Sequence, residues 1–313
     1  MSTQERFATG LSGGSDEDLA LELVRVTEAA ALAAGRWVGR GERNSGRAAA
    51  TIALDEHLTS VPVRGTVVIG AGELDGGTAL CTGDEVGFGD GPVCDVAIGV
   101  GHGARTPVND VPNSLTAVVV AEPGVLYAPP PAVVVEKLAV GSDCADVVDV
   151  TRPVAENVRA VAAAKGMRAS DVVVAVLDRP RHRVLVDEIR AAGARVHVLQ
   201  GGDVAGAIAA ARPESSVDML LGTGGAEAGT IAAAALSCLG GSLQVRLRCG
   251  RLDEVLHTGD LVRDGRVLFC ATGVTTSELL RGVRNRSGRL TTESMVLCSS
   301  PDTVRMVRSE HRF

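Results

Sequence analysis

The sequence predicts an α/β protein of two unlike halves: an α+β half, then a half built on a parallel sheet. Three observations carry this. Hydrophobic residues make up 45% of the 313-residue chain but aromatics only 2%. The core must therefore be Val, Leu, Ala and Ile, which suits a buried parallel sheet flanked by Ala-rich helices. From Thr151 three strand–loop–helix units follow one another, implying parallel strands with right-handed crossovers. Before that point helices and short apolar strands alternate at hairpin-like spacing. The length allows roughly two domains.

Residues 1–14 are polar and Gly-rich and read as a disordered tail. Ser15 with Asp18 fits a capping box ahead of the helical pattern Leu19, Leu21, Leu23, Val24, Val26, Ala30, Leu32, Ala33. That helix should reach about Val38 and stop at Gly39. A second helix is predicted over Ala48–Leu58, and strands over 65–70, 94–98, 115–121 and 132–140. These make an α+β domain over 15–150. The α/β domain over 151–313 begins with a helix at Pro153–Lys165. Strands at Val172–Leu177, Arg195–Leu199 and Asp218–Leu221 follow, each leading through a loop into a helix. Ligands in such sheets bind at the carboxyl ends of the strands, so loops 178–182, 200–203 and 222–229 should converge. After about residue 245 the chain returns to short strands, free to pack back on the first domain. Arg263-Asp264-Gly265-Arg266 reads as a hairpin turn, with a strand at Val267–Ala271.

Composition excludes several functions. A net charge of −7 argues against a nucleic-acid footprint. One Trp and one Tyr leave little for base stacking. The cysteines Cys81, Cys94, Cys144, Cys238, Cys249, Cys270 and Cys298 are scattered, without C-x-x-C, and read as reduced buried thiols. No signal-peptide pattern opens the chain, and no apolar run reaches the ~20 residues of a spanning helix. The expectation is a cytoplasmic protein with neither membrane nor nucleic acid as partner.

Candidate chemistry sits at strand ends. Arg181 and His182 follow Pro180, and arginine suits bidentate phosphate contacts. Asp203 closes Gly201-Gly202-Asp203 at a helix start, either as an N-cap carboxylate or as the acceptor of a sugar hydroxyl. The Gly222–Gly229 stretch, with Gly224 and Gly225, offers backbone N–H groups before a helix, as an anion cradle or an ordinary tight turn. It is neither a P-loop nor G-x-G-x-x-G, because position 227 is Glu. Glu73 and Asp75 follow a strand and share one side by alternation. They could hold a metal or a water together, or simply form a solvated strand end. His102 lies between two glycines and near Arg105, as a ligand contact or a satisfied polar residue. Cys94 and Cys270 fall in strands and belong to the core.

These pieces resemble the class II fructose-1,6-bisphosphatases of the GlpX type, over nearly the whole chain from about Asp18. The resemblance rests on Val24-Arg25-Val26-Thr27-Glu28-Ala29-Ala30-Ala31-Leu32, Gly35-Arg36-Trp37-Val38-Gly39-Arg40-Gly41 and Asp90-Gly91-Pro92-Val93-Cys94-Asp95. It continues in Glu136-Lys137-Leu138, Arg179-Pro180-Arg181-His182, Gly202-Asp203-Val204-Ala205, Phe269–Thr275, Thr291-Thr292-Glu293 and Thr303-Val304-Arg305. It implies the layered αβαβα sugar-phosphatase fold of the fructose-bisphosphatase and inositol-monophosphatase kind. It also implies hydrolysis of the 1-phosphate of fructose bisphosphate with Mg²⁺ or Mn²⁺, and a homodimer or homotetramer.

The same resemblance marks departures. The family's first metal-binding Asp matches Arg47. The first Glu of its G-E-G-E-x-D matches Ala71, although Glu73 and Asp75 persist. Its D-P-I-[DE]-G-T becomes Gly99-Val100-Gly101-His102-Gly103-Ala104, and the Glu of its G-G-x-P-E-G becomes Ala228. Hard cations need several oxygen ligands, so the resemblance implies a chain that has lost its metal cofactor. Arg47, Arg105, Arg181 and His182, with Asp203, Gly224 and Gly225, would hold a phosphorylated small molecule. Three readings follow. One is a metal-independent enzyme with Glu73, Asp75, His102 and Glu227 as acid–base candidates. The second is a non-catalytic pseudophosphatase that binds a sugar phosphate or a partner protein. The third is a phosphatase whose metal site was rebuilt from Glu73, Asp75, His102, Asp203 and Glu227.

Overall fold

The computed structural model describes residues 16–42, 44–72, 80–100, 112–130, 132–249, 252–286 and 288–312. Five layers stack as helix, sheet, helix, sheet, helix. The outermost pair is α1 (Asp16–Gly35) and α2 (Ser45–Leu58). Beneath them lies an eight-stranded sheet of β1 (Arg64–Ile69), β2 (Glu85–Val86), β3 (Val93–Val100), β4 (Leu115–Ala121), β11 (Val267–Gly273), β12 (Arg284–Arg286), β13 (Arg289–Ser299) and β14 (Asp302–Arg312). Its order is β12-β13-β11-β4-β3-β1-β2, with β14 on the other edge of β13.

The six-stranded sheet holds β5 (Val134–Val140), β6 (Val173–Leu177), β7 (Arg195–Leu199), β8 (Met219–Gly225), β9 (Ser242–Cys249) and β10 (Leu252–His257), in the order β10-β9-β5-β8-β6-β7. Helices α5 (Asp203–Ala211) and α6 (Ala226–Leu239) lie between the sheets, while α3 (Val154–Ala164) and α4 (Arg183–Ala191) cover the far face.

Period-two alternation sorts the strand side chains. In the eight-stranded sheet Val96, Ile98, Val118, Val120, Leu268, Cys270 and Val296 face α1 and α2. Their neighbours Ala97, Ala117, Val119, Phe269, Ala271 and Leu297 face inward with α5 and α6. The middle helices are nearly all small: Ala205, Ala207, Ala209, Ala210 and Ala232–Ala235 are buried. Small residues on both sides let helix and sheet backbones approach closely, which replaces the bulk that aromatic residues supply in other cores.

The element pattern departs from the expected one in five places. Helix α1 stops at Gly35, and Trp37, Val38 and Arg40 continue as turns instead of helix. Helix α2 starts at Ser45, before Ala48. The second sheet is mixed, since β6 is parallel to β7 and β8 while β5, β9 and β10 run antiparallel. The stretch Gly222–Gly225 is strand, because it pairs with Val134–Lys137 of β5 and that ladder satisfies backbone groups a loop would leave to water. Residues 263–266 do not turn a hairpin. They carry the chain from α7 (Thr258–Leu261), which follows β10 in one sheet, to β11, which pairs with β4 and β13 in the other. Ser15 and the tail 1–14 lie outside the described residues.

Candidate functional site

The carboxyl ends of β6, β7 and β8 meet, as the parallel topology requires. After β6 the chain makes a short 3₁₀ turn at Pro180–His182 before α4. Arg179 Nη1 donates to the carbonyls of Asp178 (2.7 Å) and Gln200 (2.9 Å), tying the first loop to the second. Arg181 reaches the third: its Nε donates to Thr223 Oγ1 and its Nη2 to the Thr223 carbonyl, each at 2.8 Å.

His182 is buried beneath them. Its Nδ1 lies 2.8 Å from the Leu177 carbonyl, and its Nε2 accepts the Thr223 N–H at 2.9 Å. This pairing fixes the tautomer with the proton on Nδ1. Burial lowers its pKa, with Arg181 and Arg179 acting in the same sense. A Cβ at Gly222 would stand 3.2 Å from the imidazole Cε1, so the ring packs directly on the β8 backbone.

Lys137 and Asp203 form the floor. Lys137 Nζ lies 2.8 Å from Asp203 Oδ2, with side chains 4% and 13% exposed. The pair lines a cavity of about 10 Å³ with Leu177, Leu220, Leu221, Gly222 and Thr223, room for about one water. Asp203 is the first residue of α5 and not its N-cap, a place taken by Gly202 at φ +77. Gly202 cannot carry a side chain, since a Cβ there would fall 2.1 Å from the Asn113 carbonyl just before β4. The Asp203 carboxylate thus turns onto the lysine of the neighbouring β5. At Gly224 a Cβ would sit 2.8 Å from Asp203 Oδ2, so glycine lets β8 pass over the pair.

Gly225 is exposed and caps α6, and Glu227 is half-buried in its first turn. A carboxylate there is favoured by the helix dipole. Arg47 lies on the first turn of α2, where its Nη2 donates to the Ala71 carbonyl beyond β1. Glu73, Asp75, His102 and Arg105 lie outside the described residues.

Two site residues were absent from the sequence reading. Lys137 was seen only as part of Glu136-Lys137-Leu138. Its signal was a lysine inside an otherwise apolar strand, since buried lysine occurs almost only when paired. Thr223, which Arg181 and His182 both grip, had no signal beyond its place among glycines. Cys94, Cys144, Cys238, Cys270 and Cys298 are buried free thiols as expected, whereas Cys81 is only half-buried. Burial pushes Cys94, Cys238 and Cys270 up to about 12 and Cys144 up to about 11, leaving them no nucleophilic thiolate near neutrality.

A divalent ion needs several oxygen ligands. Among the described residues no three His, Cys, Asp or Glu side chains gather into such a group, and the Asp203 carboxylate is engaged by an ammonium. The described side chains alone offer no such ligand set. Among the described residues, too, no helix is long and apolar enough to cross a membrane.

Two mixed sheets layered with helices, and a polar cluster where strand ends meet, define an α/β layered protein of the phosphatase type. The family described as bacterial fructose-1,6-bisphosphatase, glpX-encoded, matches residues 17–311, and the chain belongs to it. Fructose-1,6-bisphosphatase 1 class 2 of Escherichia coli strain K12 is 35% identical over 320 residues, covering 94% of this chain and 95% of that protein. The class 2 fructose-1,6-bisphosphatases of Escherichia coli O6:H1 and Shigella flexneri are similar to the same extent.

Proposed function

We propose that this chain binds a phosphorylated sugar at the joined strand ends and acts on it with side chains in place of a divalent ion. The observation that carries this is the charge of the cluster. Arg181 grips Thr223, which lines the same small cavity as Lys137, and in that cavity the Asp203 carboxylate is the acidic partner of Lys137. Thr223 takes two N–H groups of Arg181, which fixes the fork while its other donors stay available to a phosphate. Asp203, oriented by Lys137, would accept a sugar hydroxyl with its remaining lone pairs. His182 stays neutral and holds Thr223 in place. Glu227, with Glu73, Asp75 and His102, would supply proton transfer. Membership of a family whose relatives are named for fructose 1,6-bisphosphate supports the substrate class.

Calorimetric titration with fructose 1,6-bisphosphate in EDTA tests the reading, beside a phosphate-release assay with Mn²⁺, Mg²⁺ or EDTA. Saturable binding in EDTA, without metal-dependent release, is expected. Absence of binding in every buffer would sink the phosphosugar reading. Release that requires Mn²⁺ and disappears in Glu73→Gln would instead favour a rebuilt phosphatase site.

A further inference from the structure

We infer that the Arg47 guanidinium is a tethered cation that receives a phosphate of the substrate and excludes a divalent ion from the same place. The inference rests on the phosphosugar reading above and names the group that would make binding metal-free.

Arg47 leaves the first turn of α2 and crosses to the chain just past β1, where Nη2 meets the Ala71 carbonyl. A Cβ on Gly72, at φ +80, would lie 2.5 Å from that nitrogen. The guanidinium therefore sits against backbone in a space that exists because residue 72 has no side chain. Its Nε is buried and has no hydrogen-bond partner. Among the described residues no carboxylate forms an ion pair with it. The residue is half-buried, so its charge has lost part of its water, and the buried N–H left unmet is unfavourable. An anion with several oxygens docked against the fork would answer the charge, and a phosphate monoester dianion has that geometry.

The same charge argues against a metal. Two positive charges a few ångströms apart repel strongly in a partly buried site. The Ala71 carbonyl, the backbone oxygen at hand, is already engaged by Nη2, and the Ala71 side chain offers no ligand atom.

The test uses the full chain. Mn²⁺ is titrated in and followed by its free-ion EPR signal. Thermal shifts are read with fructose 1,6-bisphosphate and with inorganic phosphate, in EDTA and in Mn²⁺. The expected result is an undiminished Mn²⁺ signal and a bisphosphate shift of equal size in both buffers. Arg47→Met should weaken bisphosphate binding about tenfold or more, as loss of a charge-assisted contact does, and Arg47→Lys should recover part of it. Stoichiometric Mn²⁺ uptake by the unmodified chain, or a bisphosphate shift seen only with Mn²⁺, would overturn the inference while leaving phosphosugar binding intact. Unchanged affinity in Arg47→Met would overturn it as well. No shift with either phosphate probe in any buffer would overturn the phosphosugar reading itself, and the inference with it. The Mn²⁺ measurements need no variant, so they decide even if Arg47→Met fails to fold.

Discussion

The polar cluster at the strand ends of the six-stranded sheet and the arginine beside the eight-stranded sheet are satisfied in different ways. In the cluster Lys137 is matched to Asp203, Arg181 to Thr223, His182 to Leu177 and Thr223, and Arg179 to Asp178 and Gln200. At the eight-stranded sheet Arg47 has a carbonyl on one nitrogen and nothing on another that is buried. A matched cluster is a platform, and its residues should matter first to stability. An unmatched donor is an opening, and its removal should matter first to binding.

The largest test of this contrast is Lys137→Ala. It leaves the Asp203 carboxylate in a pocket that is mostly out of water, and breaking such a pair by removing one partner costs about 3–5 kcal/mol. Urea unfolding should show that loss. A double-mutant cycle with Asp203→Asn should return a coupling of about 1–3 kcal/mol; a coupling near zero would mean that the pair is no platform.

His182→Gln comes next, with an expected loss of about 1–3 kcal/mol, because the Thr223 N–H or the Leu177 carbonyl loses its partner. It also carries a pH signature. Burial holds the folded-state pKa of His182 below its ordinary 6.5. The unfolded chain therefore takes up a proton that the folded chain refuses. The contribution is complete above about pH 6.5 and is lost as pH falls through the lower folded value. Urea midpoints between pH 5 and 8 should fall on the acid side in the parent, and less so in His182→Gln.

Arg181→Ala should have the smallest effect on stability, under about 1 kcal/mol, because both of its bonds are exposed. Its effect on phosphosugar affinity should be much larger than that. If it lowers the urea midpoint as much as His182→Gln while leaving affinity unchanged, Arg181 belongs to the platform alone.

Much of this was readable in advance, and the failures have physical causes. The strand–loop–helix rhythm after Thr151 gave the three converging loops, because parallel pairing admits few connections. Periodicity could not say that β5 and β9 insert beside β8, since antiparallel neighbours come from distant sequence. The glycines of 222–225 read as loop because glycine is a poor strand former, yet pairing with Val134–Lys137 overrides propensity. Arg181, His182 and Asp203 were named from their positions at strand and helix ends, but their partners were not. Lys137 and Thr223 became visible as site residues only once β5 and β8 lay side by side. For Arg47 the family resemblance supplied the position, and the packing against Ala71 and Gly72 supplied the reason to ask what it binds.

The threading of the eight-stranded sheet also bears on the order in which the protein can form. Strands β1, β3 and β4 belong to the first 121 residues, but β11, the neighbour of β4, arrives only at Val267, and β13 and β14 later still. During synthesis the open edge of β4, with its Val118, Val119 and Val120, must wait while α3 to α7 and the entire second sheet are made. Non-local pairing of this kind slows folding and leaves an apolar edge exposed meanwhile. A chain cut before β11 would therefore be expected to aggregate during synthesis, when a chaperone could shield that edge.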